Sequence, residues 1–155
     1  MTYEFPTITN LVYLFRDNQV LLIMKKRGFG EGKYNGPGGK VKEGETVEEC
    51  AVRELQEEIR VTPRDLEKLG YLEFVFLKKL EWNTIVHVYR AGEFEGEPEE
   101  TEECIPEWFD LDKIPYPKMW DDDNYWFPIF LRGEKFKKRF YFGEGNEMVV
   151  KYEDI

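Results

Sequence analysis

Six glycines stand between Gly28 and Gly39 in GFGEGKYNGPGGK, and a capped helix begins only a few residues later. Thr46 and Glu49 make the T-x-x-E capping box, in which the hydroxyl and the carboxylate each satisfy a free backbone N–H. The pattern predicts a helix to about Ile59, closed before Pro63 because a proline disfavours helical backbone ahead of it. Within it, RELQEE sets Glu54, Glu57 and Glu58 on one face at i, i+3 and i+4. Like charges so placed repel by roughly 0.2–0.5 kcal/mol per pair. Val52, Leu55 and Ile59 lie around the far side and are expected to face a core, with the acidic face turned away from it.

In isolation this motif would be a solvated helix with an Arg53–Glu57 pair. The preceding loop changes the reading. Gly38-Gly39 lets backbone approach closely and can expose a carbonyl. A carbonyl with several carboxylates is an all-oxygen set suited to Mg²⁺ or Mn²⁺. Such ions neutralise polyphosphate oxygens and activate water for attack at phosphorus, and they relieve the repulsion.

The rest of the chain reads as strands around this helix. Ile8 to Phe15 and Val20 to Met24 form a hairpin across Arg16-Asp17-Asn18, and Leu69 to Leu77 and Thr84 to Tyr89 run as strands. Thr62-Pro63-Arg64-Asp65 resembles the cap of a short helical turn, residues 93–103 an acidic loop, and Trp108 to Leu111 a further short strand. DDDNYWFPIFLRG, from Asp121, reads as a helix with an acidic first turn and a kink at Pro128. Phe136 to Phe142 and Met148 to Tyr152 close the chain as a hairpin. The expected class is α+β, a mixed β-sheet flanked by helices, with residues 1–155 as one domain large enough for its own core.

A net charge of −10 argues against a nucleic-acid polymer or an anionic membrane as partner, though not against one nucleotide bridged by a cation. No apolar run approaches the roughly 18 residues of a membrane span, and MTYEFPTITN lacks signal-peptide character. Cys50 and Cys104 have no metal-ligand spacing, so two reduced thiols in a cytoplasmic, monomeric protein are expected. His87, without a partner motif, reads as structural, Cys50 as a small hydrophobe on the helix, and RGEKFKKRF as a solvated face.

Gly39, five residues, Glu45, seven residues, Arg53-Glu54-Leu55, one residue, Glu57-Glu58 resembles the Nudix box, and the sequence resembles the Nudix hydrolases. The box departs at Arg60, where the family has a glycine that ends the helix. MKKRGFGEGKYNGPGGKVKEGET and PKMWDDDNYWFP extend the likeness to the branch acting on oxidised purine nucleoside triphosphates. The resemblance implies a Nudix α/β/α sandwich and Mg²⁺-dependent hydrolysis of a nucleoside triphosphate, such as 8-oxo-dGTP, to monophosphate and pyrophosphate. It places the metal ligands at the Gly38 carbonyl, Glu54, Glu57, Glu58 and, in the acidic loop, Glu103, with Glu102 one residue away.

On physical grounds Arg53 orients a glutamate one turn on, and Glu45 either braces the loop or complements the helix N-terminus. Glu54 and Glu58 both qualify as the water-activating base. Lys25 and Lys40 are candidates for phosphate contact, with solvated surface lysines as the alternative. For the base, the resemblance points to Asn35, Asp122 and Asp123 on the purine edge, with Trp120 beside the ring. The aspartates could instead cap a helix. Phe29 and Phe74 match aromatic pocket positions, Gly39 lies beside the substrate, and either phenylalanine could be core. Asn10 and Thr84 replace a threonine and a methionine of that branch, which makes the pocket more polar. Two other readings are a Nudix enzyme for dinucleoside polyphosphates or nucleotide sugars, and a Nudix module without catalysis.

Overall fold

The computed structural model describes residues 2–155. In β1 (Thr7–Arg16), Leu11, Tyr13 and Phe15 join one apolar cluster, while Val12 and Leu14 join another on the opposite face. β2 (Gln19–Lys25) divides in the same way, Val20 and Leu22 against Leu21 and Ile23. Both faces are apolar, so each requires a covering layer. α1 (Val47–Ile59) covers one with Ala51, Leu55 and Ile59. α2 (Asp123–Leu131) covers the other with Trp126, Phe127 and Phe130. Full burial of Phe127 and Phe130 is worth about 1.5–3 kcal/mol each. The layers make the expected α/β/α sandwich.

The other strands are β3 (Tyr34–Asn35), β4 (Thr62–Pro63), β5 (Glu67–Phe76), β6 (Thr84–Ala91), β7 (Phe94–Glu95), β8 (Cys104–Asp110), β9 (Phe136–Phe142) and β10 (Val149–Asp154). The main sheet runs β10-β9-β5-β6-β1-β2-β3, with β8 on β2, while β4 and β7 pair separately. The first hairpin forms, with Asp17 turning at φ 56°, but β1 and β2 share only Phe15↔Val20 and Arg16↔Gln19. Beyond these β1 leaves β2 and pairs in parallel with β6, from Thr7↔Thr84 to Leu14↔Ala91. The glycine-rich loop takes the edge so released. Val12 N–H donates to Pro37 O at 2.8 Å, Asn10 N–H to Gly39 O at 3.1 Å, and Val41 N–H to Ile8 O at 2.9 Å. The loop is thus fastened to the middle of the sheet, directly ahead of α1.

The capping box is present, and α1 ends at Ile59. Arg60 adopts the left-handed conformation, φ 62° and ψ 35°, and its N–H reaches the Gln56 and Leu55 carbonyls. It therefore closes the helix as a glycine would, at a cost of about 1–2 kcal/mol for carrying a side chain there.

Several expectations are corrected. Thr62 and Pro63 form β4 rather than a helical cap, because Arg64 N–H pairs with Glu93 O and the Asp65 carboxylate accepts from Gly92 and Glu93 N–H. The 93–103 loop contains β7, and the strand through Trp108 is longer, starting at Cys104. Val52 is 37% exposed rather than core, since α1 packs through Cys50, Ala51, Leu55 and Ile59. The acidic face does not point wholly to solvent: Glu58 is only 6% exposed, beneath the glycine loop. RGEKFKKRF is not simply a solvated face. Lys138 is buried against Asp154, and Arg139 pairs with Glu73 at 2.7 Å.

Candidate active site

The acidic helix and the glycine loop meet through backbone. Gly38 N–H donates to Glu58 Oε1 at 2.9 Å. The Pro37 and Gly39 carbonyls are taken by β1, so alternation along the segment turns the Gly38 carbonyl away from that strand. Gly38 lies at φ 153°, and a Cβ there would sit 2.1 Å from Asn10 O. At Gly39 a Cβ would lie 2.4 Å from Glu54 Cδ. Both distances are shorter than any van der Waals contact, so only glycine admits this closeness.

Arg53 organises the carboxylates. Its Nε and Nη2 reach Glu45 at 2.7 and 3.0 Å, and Nη1 reaches Glu54 at 2.9 Å, with Glu57 more distant at 3.4 Å. The Arg53 guanidinium, with Lys42 N–H, holds the Glu45 carboxyl down to about 2. Glu45 thus ties the loop to the helix through Arg53. Burial pushes Glu58 up to about 8 despite the Gly38 N–H, and burial also raises Glu54, although Arg53 opposes it.

Glu103 approaches from the acidic loop. Its charge raises Glu58 further while Lys25 counters it, so both groups lie within electrostatic reach. Arg27 grips Glu103 at 2.6 Å, whereas Glu102 is 90% exposed and 3.9 Å from Arg27. Lys40 offers only its carbonyl, to Arg53 at 3.2 Å, and its side chain is exposed. Among the described residues, no three His, Cys, Asp or Glu side chains converge tightly enough to form a metal cage. The reason is visible in the contacts: Arg53, Arg27 and Gly38 N–H each engage a carboxylate. The donors themselves suit a hard divalent cation, because they are all oxygens and burial has stripped Glu58 of hydration that a cation would replace.

A second cluster forms at the N-terminus of α2. Asp122 and Asp123 are 4% and 2% exposed, and burial drives both carboxyls upward. Neither caps α2 through its side chain: Asp122 Oδ2 accepts from Trp126 Nε1 at 2.8 Å, and Asp123 Oδ2 is buried without a partner. Asn35 Oδ1 accepts from Gly36 N–H and from Tyr13 OH. Charge from both aspartates reaches the Tyr13 phenol and raises it further beyond the effect of burial. Trp120 stacks on the exposed ring of Phe29 at 5.1 Å, with Lys33 5.2 Å above the indole. Asp121 secures this segment by accepting Val149 N–H at 2.9 Å.

Other expected residues lie apart. Phe74 packs edge-on to Phe142 and Phe140 in the apolar cluster, at 5.4 and 6.2 Å. Asn10 is on the opposite face of β1 from Tyr13. Its Nδ2 faces Val47 O at 3.5 Å, and its Oδ1 is buried and unpartnered. Thr84 donates its hydroxyl to Trp82 O at 2.6 Å. His87 sits beside Tyr71 on β6, and burial lowers its pKa. The sequence reading missed Tyr13, Arg27 and Trp82, the last edge-on to Phe29 at 5.5 Å. A polar tip at the centre of an apolar strand was the available signal for Tyr13.

A mixed sheet between two helices, with a glycine loop feeding an acidic helix, defines a Nudix hydrolase. The NUDIX domain profile matches residues 6–130, and the chain belongs to that family. It is 47% identical over 145 residues to the oxidized purine nucleoside triphosphate hydrolase of Danio rerio, covering 94% of this chain and 92% of that one. To the protein of the same name from Mus musculus it is 45% identical over 142 residues, covering 92% and 90%. The crystal structure of a MutT protein from Bacillus halodurans is similar with a TM-score of 0.84 at 26% identity, over 95% of this chain and 96% of that one. Among the described residues, no helix is long and apolar enough to cross a membrane.

Proposed function

We propose that this enzyme hydrolyses oxidised purine nucleoside triphosphates such as 8-oxo-dGTP to the monophosphate and pyrophosphate, with Mg²⁺ as the physiological cation. The observation that carries the substrate reading is the pair of buried acids whose charge reaches Tyr13, the residue that also meets Asn35. Two carboxyls whose pKa values are both raised can share a proton, and so present donor and acceptor together to a base edge. An 8-oxopurine offers an N7–H that an ordinary purine lacks, and a carboxylate oxygen accepts it. The overall identity to the two named vertebrate relatives supports the same reading.

Glu54, Glu57, Glu58, Glu103 and the Gly38 carbonyl would hold the cation, which when bound neutralises phosphate charge and acidifies water. Arg53 and Glu45 hold the ligand helix and the loop in register. Either Glu54 or Glu58 takes the proton from the attacking water. Lys25 and Lys40 meet the phosphates. Phe29 and Trp120 meet the face of the base, and Asn10 supports the Gly38 turn from below. We place this activity in one domain spanning 1–155, acting as a cytoplasmic monomer on free nucleotides.

Attack at the α–β linkage releases pyrophosphate and a nucleoside monophosphate in one step. Chromatography of an early time point should show both, and a diphosphate with orthophosphate would contradict the proposal. Gly39→Ala should lower activity at limiting Mg²⁺ by about 10–100-fold, because the added methyl must displace Glu54. Raising the Mg²⁺ concentration should recover part of that loss. Equal activity of variant and parent at every Mg²⁺ concentration would remove Glu54 from the ligand set.

A further inference from the structure

The polar end of Tyr13 is not accounted for by its apolar surroundings. The ring is fully buried, with Phe127, Phe130 and Trp126 at 4.9, 5.1 and 6.1 Å. A phenylalanine would make the same contacts. Only the hydroxyl distinguishes the tyrosine, and it donates to Asn35 Oδ1 at 3.4 Å. The same oxygen accepts Gly36 N–H at 2.8 Å. A backbone N–H can donate to the amide oxygen and not to the amide nitrogen, so this pair of contacts fixes which way Asn35 faces.

Oδ1 has two lone pairs, and Tyr13 and Gly36 occupy both. The Nδ2 amino group is left as the end that can meet a ligand. Gly36 is a condition of the arrangement, because a Cβ there would lie 2.5 Å from Tyr13 Cζ. The phenol also stays protonated at neutral pH, since burial and the facing aspartates oppose its ionisation, so it remains a donor.

We infer that Tyr13 is a positioning residue for base recognition: with Gly36 N–H, its hydroxyl holds the Asn35 amide so that its amino group is presented as a donor to an acceptor on the purine edge. This rests on the proposed purine nucleotide substrate. A base with a carbonyl oxygen or an unprotonated ring nitrogen at that place satisfies the amino group. A base that offers a donor there is opposed.

Tyr13→Phe removes the hydroxyl and leaves the packing. It should raise KM for 8-oxo-dGTP about 3- to 10-fold, the scale of one neutral hydrogen bond, with a smaller effect on kcat. In an Asn35→Ala background the same substitution should change KM less than twofold, because its effect runs through the amide. Equal KM effects in the two backgrounds would overturn the inference. A substrate-independent reading comes from ¹⁵N NMR of the metal-free protein. The Asn35 side-chain NH₂, assigned by its loss in Asn35→Ala, should have a high ¹⁵N order parameter that falls in Tyr13→Phe. A low order parameter in the parent protein, at the level of a freely rotating side chain, would show an unheld amide and overturn the inference even if Tyr13→Phe failed to fold. A parent protein inactive on purine triphosphates would refute the substrate proposal alone, with the NMR result still deciding the role of Tyr13.

Discussion

Glu58→Gln is expected to cut turnover by about 10³-fold or more while making the metal-free protein more stable. The loss follows from removing one anionic ligand of a cation that stabilises transition-state charge, a contribution of several kcal/mol. The gain has a separate origin. Glu58 is buried beneath the loop, and that burial pushes its carboxyl up to about 8 from the usual 4.5. At neutral pH the metal-free fold therefore holds a proton that the unfolded chain would release. Glutamine is the neutral isostere, and it keeps an oxygen for Gly38 N–H. A gain of about 1–3 kcal/mol, roughly 2–10 °C in Tm, is the scale expected. Glu57→Gln should lose comparable turnover with little change in Tm, because its carboxylate is 56% exposed. Thermal melts without metal and initial rates with Mg²⁺ measure both effects. Parent-like turnover in either variant, or unfolding of Glu58→Gln, would refute the ligand assignment.

Asp123→Ala should lower kcat/KM for 8-oxo-dGTP by about 1–3 kcal/mol, or roughly 5- to 150-fold, with a smaller loss for dGTP. Its carboxyl is buried with Oδ2 unpartnered, so it has capacity that a base edge can use. The ratio of the two kcat/KM values is the informative quantity, and an unchanged ratio would separate Asp123 from discrimination. Equal kcat/KM for the two nucleotides in the parent would refute the specificity claim and leave the hydrolase standing. The same residue gives a pH prediction. Burial raises the folded-state pKa of Asp122 and Asp123, so the folded protein retains protons that the unfolded chain loses above about 3.8. Stability from this pair is therefore full below that pH and is lost as pH rises through the raised values. Asp123→Asn should flatten the decline of Tm from pH 4 upward. A decline as steep as in the parent would mean that Asp123 is not the group titrating.

Local chemistry made α1 and its acidic face legible before any fold was known. The capping box joins residues three apart, the glutamates repeat at three and four, and Arg60 follows the last turn, so every relation lies within one turn of chain. Alternation in β1 and β2 likewise follows from strand geometry, and it implies a helix on each face. The family spacing from Gly39 to Glu58 could be read from the same short segment. The sequence also marked Asn35, Asp122 and Asp123, but it left open whether the aspartates capped a helix.

Long-range packing decided the rest. That β1 abandons β2 for β6, some 77 positions away at Thr7↔Thr84, depends on which strand edges remain free after the sheet assembles. The released edge is what seats the glycine loop over Glu58, and so turns an apparently solvated carboxylate into a buried one. Arg53 was expected to serve Glu57 one turn on, yet its stronger partners are Glu45 and Glu54, because the loop brings a carboxylate into line with the guanidinium plane. Neither aspartate caps α2 with its side chain, since Trp126 Nε1 engages Asp122 and Asp123 Oδ2 is buried without a partner. Tyr13 meets Asn35 across 22 residues only because Gly36 leaves room for the ring. Helix periodicity and capping are properties of a few adjacent residues, whereas burial and partner choice belong to whichever distant segments pack against them.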